Sequence, residues 1–479
     1  MVSKNTMLAK LILAFLYVNT VLDYGESSYS ALSDYHRKIR WMASIKASFI
    51  SRNGAPPTPH SFSTAPVLAS SRVHHAIEYG ADPTGKLDST NALEQAISDA
   101  FRSPVEGQLI QGVADLGGAQ LHLNGGTYKI SRPLCLPKTS GGNFMILGGS
   151  LTASPDFPTD RHLIELLPSS DSYLYEDITL KDLMIDSNFR GGGIAIVNSL
   201  RTVIDNCYIS HFITNGILIQ GSHETFVKNT FIGQHINIGG DHREKDFSGV
   251  GILIKGNDNV VTDVVVFSAS IGIMIQGQAN MLTGVHCYNK ATRWGGTGIY
   301  IQAPGFTQTR IANSYFDFTG IIAEDPVQLH VTGSFFLGNA FILLKSIVGV
   351  AFGVNIVDNM FSGDYTGVPI VQLDQSNSPF TTIEQVIVDR NNARGMELKS
   401  TVARRSVWSN GTTWTVDFSQ ALLFPNLIKH VQYTLQAEAS FPSHILRNIS
   451  GNRVTVESLW PISATLHVTV DQSTVAYTL

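Results

Sequence analysis

The chain has 479 residues, of which 15 % are charged, with a formal net charge of −5 and three cysteines. So sparse and slightly acidic a charge balance excludes a general nucleic-acid or membrane-surface partner, and so few thiols exclude a disulfide framework. Abundant Gly, Val, Ile, Phe and Asn suit a turn-rich β protein better than a helical one.

In chain order, residues 1–25 place Lys4 and Lys10 before the apolar run Leu11 to Val18, the basic-then-apolar order of a secretory signal peptide. Residues 26–70 mix Ser and Ala with Pro56, Pro57, Pro59 and Pro66, and are expected to form a flexible leader. The stretch Tyr79-Gly80-Ala81-Asp82 to Asp88-Ser89-Thr90 runs into an amphipathic helix through Ala92, Leu93, Ala96 and Ile97. Asp88 or Ser89 is positioned to accept from its first free N–H groups. Such a helix can cover the open end of a solenoid, where strand edges and apolar core would otherwise meet water.

A phrase then recurs: Gly193-Ile-Ala-Ile, Gly216-Ile-Leu-Ile, Gly251-Ile-Leu-Ile, Gly272-Ile-Met-Ile, Gly298-Ile-Tyr-Ile and Gly320-Ile-Ile-Ala. The glycine numbers differ by 23, 35, 21, 26 and 22, so all but one step equal one coil of a stacked β-solenoid. Alternation within each phrase puts Ile252 and Ile254 inward and Leu253 and Lys255 outward. A second ladder, Ile204-Asp-Asn206, Val227-Lys-Asn229, Val261-Thr-Asp263, Leu282-Thr-Gly284 and Ile311-Ala-Asn313, gives each coil at least one further strand. There Asn206, Asn229, Asp263 and Asn313 read as turn residues, and His286, aligned with Tyr208, Phe231 and Tyr315, as a packing or surface position. The repeat spans 71–365. Residues 366–479 read as degraded repeats followed by a small antiparallel β-domain, with glycosylation acceptors at Asn410 and Asn448. Cys207 and Cys287 fall about three coils, or roughly 14 Å, apart and are expected to be unbridged core thiols.

The Tyr-Gly-Ala-Asp segment followed by Gly-Ile-x-Ile coils resembles the pectin-lyase-like superfamily, and within it the polygalacturonases. The resemblance implies an all-β, right-handed parallel β-helix with an N-terminal capping helix and a small C-terminal β-domain. It also implies a secreted glycosidase cutting α-1,4-galacturonosyl links of de-esterified pectin in the plant cell wall, including the pollen mother cell wall during microspore separation. Ordinary polygalacturonases carry aspartates and a histidine just before the Gly-Ile strands. Here those places hold Thr214-Asn215, Gly249-Val250, Ser270-Ile271 and Thr297, so the usual set is missing. Arg310-Ile311 keeps the first two letters of a later family motif.

The long step points to residues 234–248 as the place for displaced chemistry. Asp241 and Asp246 are the first candidates for acid and base, since inverting hydrolysis needs two carboxyl groups roughly 6.5 to 9.5 Å apart. His242 is a candidate proton partner. A solvated charged loop is the competing reading. Glu324 and Asp325 form a second candidate pair, Glu324 in the outward row of Gln220, Lys255, Gln276 and Gln302, although Pro326 would also fit a plain turn. Lys255, Lys290, Arg293 and Arg310 are candidates for holding uronate carboxylates, and Trp294 and Tyr300 for stacking on sugar rings. The expected enzyme is a monomer acting on polygalacturonate, without cofactor or metal and, after signal cleavage, without a membrane. A calcium-dependent lyase and a non-catalytic pectin-binding wall protein are the alternatives.

Overall fold

The computed structural model describes residues 72–102, 104–105, 107–168, 172–234, 247–288, 296–437 and 441–473. The expected signal peptide and leader lie outside the described residues, as do Asp241, His242, Asp246, Lys290, Arg293 and Trp294.

Among the described residues the repeat builds two long parallel sheets. Every Gly-Ile phrase is a strand of a ten-stranded sheet that runs from Leu134–Cys135, through Asn215–Gln220, Val250–Lys255 and Thr297–Ile301, to Val371–Asp374. The register is continuous: Ile194, Ile217, Ile252, Ile273, Ile299, Ile321, Ile342 and Val371 are successive partners. All are buried and stack into the core, where burial of the isoleucines stabilises each coil by roughly 2 kcal/mol per side chain before entropy is counted. The two strands that complete a coil, for example Val203–Asp205 and Tyr208–Ser210, belong to a second sheet of twenty-four strands. Its inward row ends in a column of stacked rings, Phe316 on Phe336 at 4.7 Å and Phe336 on Phe361 at 4.4 Å.

The bend between those two strands explains the Asn ladder. Asn206, Asn229, Asp263, Asn313 and Asp358 all have φ between 51° and 60°, and Gly284 and Gly333 hold the same place at 62° and 61°. This left-handed conformation is tolerated by Asn, Asp and Gly and strained for most other residues, so the alternation of these three types is steric. Asp263 is therefore a turn residue. His286 is the outward partner of Val265 and Tyr315 and stacks on Tyr315 at 5.3 Å.

The helix Thr90–Phe101 buries Leu93, Ala96, Ile97 and Ala100 over the first coils. The Asp88 carboxylate accepts the Thr90 N–H at 3.0 Å and makes the cap, whereas the Ser89 hydroxyl turns back to accept the Asp82 N–H at 2.9 Å. Asp82 in turn accepts from the backbone N–H groups of Thr84, Lys86 and Leu87 and from the Thr84 hydroxyl, which closes the Gly-Ala-Asp turn.

At the other end the solenoid runs further than its phrases suggest. Coils continue past residue 365, with Val371–Asp374 paired to Ile342–Lys345, Ile387–Asp389 to Asn355–Val357, and Asn392–Arg394 to Met360–Ser362. The Gly-Ile spelling is lost there, but Ile370, Val371, Val386 and Val388 still point inward, and inward apolarity is what a coil requires. Val402–Asp417, Arg453–Asp471, His430–Ala437 and His444–Ser450 then form an antiparallel sheet over a separate core around Trp414, Phe418, Leu466 and Val468. Phe424, edge-on to Phe380, closes the end of the solenoid. Asn410 and Asn448 are exposed on this sheet. All three cysteines are free; burial pushes the Cys207 and Cys287 thiols up to about 12. No helix among the described residues is long and apolar enough to cross a membrane.

Two outcomes test this architecture. Hydrogen bonds, led by that from the Leu87 N–H, hold Asp82 down from 3.8 to about 2, so its stabilising effect is complete above pH 3.8 and disappears as pH falls through about 2. Asp82→Ala should lower the thermal midpoint at pH 5, and the deficit relative to the parent should shrink as pH falls toward 2. With a maleimide reagent, native protein should be modified at Cys135 well before Cys207 and Cys287, and all three should react together in denaturant.

Candidate functional site

Because core positions are filled and turn positions are fixed by φ, chemistry is confined to outward rows and to the turns along the two edges of the ten-stranded sheet. Its outward floor is apolar: Leu218, Leu253, Met274, Tyr300, Ile322 and Leu343 are successive partners. The row before the repeated glycines, where ordinary polygalacturonases keep their acids, is Asn215, Val250, Ile271 and Thr297 in continuous register, with no ionisable group.

Along the edge where strands end, the outward row contains Lys255, Gln276, Gln302, Glu324, Lys345 and Asp374, as the phrase alignment predicts for its first four members. The Gln276 side-chain amide donates to the Gln302 carbonyl at 2.7 Å. These two glutamines, with Asn257, Gln278 and the exposed Phe306, line a cavity of about 390 Å³. Glu324 is buried and accepts the Tyr300 hydroxyl at 2.5 Å and the Lys345 ammonium at 3.0 Å. The backbone N–H of Ser376, then its hydroxyl, hold Asp374 below the usual carboxylate range, and Lys345 adds to this. With Glu324 already engaged by the Tyr300 hydroxyl and the Lys345 ammonium, this edge suits hydrogen bonding to a sugar better than proton donation.

Asp325 departs from its expected catalytic role. It is completely buried, and its two oxygens accept the backbone N–H groups of Ile347, Val348, Gly349 and Val350 at 2.7 to 3.1 Å. Its carboxylate anchors the turn of the next coil and has no oxygen free for substrate. The expected grouping of Lys255 with Arg310 is also corrected. Lys255 ends a strand of the ten-stranded sheet, while Arg310 belongs to the other sheet, partnered by Met281 and His330. A repeat fixes which residues share a row, but two rows of equal period can lie on different faces.

Along the opposite edge, where strands begin, the oversized coil has a defined neck. The buried Gln234 side chain accepts the Ser248 N–H at 2.9 Å and donates to the Ser248 hydroxyl at 2.7 Å and the Phe212 carbonyl at 2.9 Å. One amide thus clamps both ends of the insertion. One coil earlier, the His211 Nδ1 meets the Asp186 carboxylate at 2.7 Å, and Phe189 packs on the imidazole at 4.7 Å. Burial pushes Asp186 up, but the bonds from His211 and the Asn188 N–H outweigh it and hold the carboxyl below its usual range. Three coils beyond Gln234, about 14 Å along the stack, stands Asp317. It is half-buried, makes no hydrogen bond or ion pair with another described residue, and burial alone raises its pKa. A carboxyl that is desolvated and lacks a compensating donor is one suited to holding a proton for transfer.

Asp317 and the Asp186–His211 pair were not singled out from sequence. The available signal was position: Asp317 ends the strand Tyr315–Asp317 of the twenty-four-stranded sheet, three residues before Gly320, at the place in its coil that Gly233, next to Gln234, holds three coils earlier.

Comparison with known proteins gives one family match and related chains. Residues 75–320 match the family described as rhamnogalacturonase A/epimerase, pectate lyase-like. Polygalacturonase QRT3 from Arabidopsis thaliana is 56 % identical over 459 residues, covering 94 % of both chains. Among solved structures, Geobacillus virus E2 ORF18 aligns with a TM-score of 0.51 at 12 % identity, covering 85 % of this chain and 79 % of that one. The PfbA surface adhesin of Streptococcus pneumoniae aligns with a TM-score of 0.50 at 15 % identity, covering 69 % of this chain and 87 % of that one. The structural likenesses speak for the fold, while the family and the QRT3 relative support a polygalacturonase-type function.

Gln234→Ala should cost about 2 kcal/mol, because the Ser248 N–H and Phe212 carbonyl lose a buried partner, and should raise proteolytic cleavage within 235–246. Denaturant titration and limited proteolysis read the two effects separately.

Proposed function

Since the chain belongs to the rhamnogalacturonase A/epimerase, pectate lyase-like family, we propose that it is a secreted plant cell-wall hydrolase of de-esterified galacturonan. The observation that carries this reading is the 56 % identity, over 94 % of the chain, to a polygalacturonase. Its setting would include the pollen mother cell wall, as the sequence resemblance implies. The two exposed sequons, Asn410 and Asn448, fit passage through a glycosylating compartment.

In mechanism, galacturonan lies across the outward floor of the ten-stranded sheet. Gln276, Gln302 and Tyr300 contact hydroxyls and ring faces, and Lys255 meets a uronate carboxylate. Asp317, whose pKa burial raises, gives its proton to the glycosidic oxygen as the C–O bond breaks. An ionised carboxylate from the 235–246 insertion, Asp241 or Asp246, removes a proton from water as that water attacks the anomeric carbon from the opposite face. His242 is proposed to add charge from the 235–246 insertion, and Lys290, Arg293 and Trp294 to add charge and stacking from the segment after Tyr288. Glu324 acts as an acceptor for substrate hydroxyls rather than as the acid, because Tyr300 and Lys345 already donate to its carboxylate.

Three measurements test the proposal. The product should show new reducing ends without the ultraviolet absorbance of an unsaturated sugar, and a chelator should leave the rate unchanged; absorbance and chelator sensitivity would instead identify a lyase. Asp317→Asn should lower kcat by roughly 10²- to 10⁴-fold. The parent's rate should fall as pH rises through the raised pKa of Asp317, and that alkaline limb should vanish in the variant. Asp241→Asn with Asp246→Asn should abolish hydrolysis while leaving the thermal midpoint unchanged, and full activity would remove both from the mechanism.

A further inference from the structure

The C-terminal antiparallel sheet has one face turned to its core and one to solvent, and the solvent face has a chemistry of its own. Side chains alternate along the strands, so the residues between buried Val468, Leu466 and Ala464 point outward in cross-strand rows. Arg404 and Gln432 flank one position of the central strand, Ser406 and Thr434 flank His467, and Trp408 and Gln436 flank the next. Arg404, Ser406, Gln432, Thr434 and His467 line an open cavity of about 530 Å³, and Trp408 stands at its end, 68 % exposed.

Three features make this more than a solvated sheet face. A tryptophan so exposed leaves its apolar rings in water, which proteins mostly avoid outside binding surfaces. His467 is held from both sides, its Nδ1 against the Ser406 hydroxyl at 2.7 Å and its Nε2 against the Gln436 carbonyl at 3.2 Å, so the centre of the grid is fixed before any ligand arrives. Arg404 makes no hydrogen bond or ion pair with any described residue, in contrast to its neighbour Arg405, which donates to the Asp417 carbonyl at 2.7 Å. Asp471, an acid beyond Arg404 on the central strand, is occupied by the Ser473 N–H and hydroxyl at 2.6 Å.

An unpaired guanidinium, a row of amides and hydroxyls, and an exposed indole are the groups that recognise an acidic sugar. The guanidinium holds a carboxylate with two parallel bonds, the amides and hydroxyls meet ring hydroxyls, and the indole lies against a ring face. Arg404 and Trp408 are four residues apart on one strand, about 13 Å, so a single sugar cannot touch both and an oligomer can. We propose that this face is a second, non-catalytic binding site for an oligomer of uronate sugars, centred on Arg404, His467 and Trp408. The choice of uronate over another acidic sugar rests on the galacturonan reading above. The site would keep the enzyme on its polymer while the solenoid cuts.

Because the solenoid would also bind galacturonan, the test must read this face locally. Full-length protein is exposed briefly to hydroxyl radicals with a short galacturonate oligomer or a neutral galactose oligomer of equal length, and oxidation at Trp408 is measured by peptide mass spectrometry. The proposal predicts that the acidic oligomer slows Trp408 oxidation several-fold, that the neutral one does not, and that Arg404→Gln weakens the protection by roughly tenfold in oligomer concentration. Unchanged oxidation at millimolar acidic oligomer would overturn it, as would equal protection by the neutral oligomer. Protection that grows with protein concentration in the absence of sugar would overturn it too, and would make the face a self-association surface. Release of reducing ends is measured in parallel. Protection without hydrolysis would leave this site standing and remove the hydrolase reading, while hydrolysis with an unprotected Trp408 would do the reverse.

Discussion

Parallel pairing between successive coils is the constraint from which everything else in this molecule follows. Each strand is bonded to the same place on the coil before and after it, so a residue's position within the repeat decides whether it faces core, solvent or turn. A slip of one residue would exchange inward and outward rows over an entire coil, which the unbroken inward column of Ile and Val forbids. Backbone groups are satisfied by neighbours rather than by local structure. A coil can therefore carry an insertion in one turn without disturbing its strands: Ile217 still pairs with Ile252 across a step of 35 residues.

That constraint also sorts the ionisable groups. Where strands end, Glu324 and Lys345 are partners in adjacent coils and neutralise one another, with Tyr300 beneath them. Where strands begin, Asp317 has Leu337 as its coil neighbour and is left desolvated and unpaired, and Asp186 is matched with a histidine instead of a lysine. The two edges thus differ in how their carboxylates are partnered, and the proposed division into a hydrogen-bonding side and a proton-transferring side rests on that difference.

The sequence displayed what recurs and concealed what does not. The Gly-Ile phrases, the Asn and Asp turn ladder and the capping helix were legible because each obeys a rule every coil shares, whether inward apolarity, a positive φ or a covered end. The last coils read only as degraded repeats because Ile370-Val371-Gln372-Leu373 satisfies the same inward requirement with different letters. Glu324 and Asp325 looked equivalent as adjacent acids. They differ because Asp325 takes φ 35°, which turns its carboxylate under the following turn, and no one-dimensional pattern reports that rotation. Asp317 was missed for a related reason: its distinguishing property is the absence of a partner, and partners become visible only when coils are stacked. Arg310 matched a fragment of a family motif while lying on the other sheet, since the period alone does not say which side of a coil a phrase occupies.

The Gln234 clamp has an implication for how such a scaffold diversifies. By tying Phe212 and Ser248 together through one amide, it closes the base of the long coil, and Ile217 still pairs with Ile252 above it. Length and composition above that knot are then nearly independent of folding, and lineages can rewrite the segment to suit new polymers without renegotiating the stack below. Substrate range in this architecture would be expected to drift by exchange of such pendant segments, while the glutamine at the base stays put.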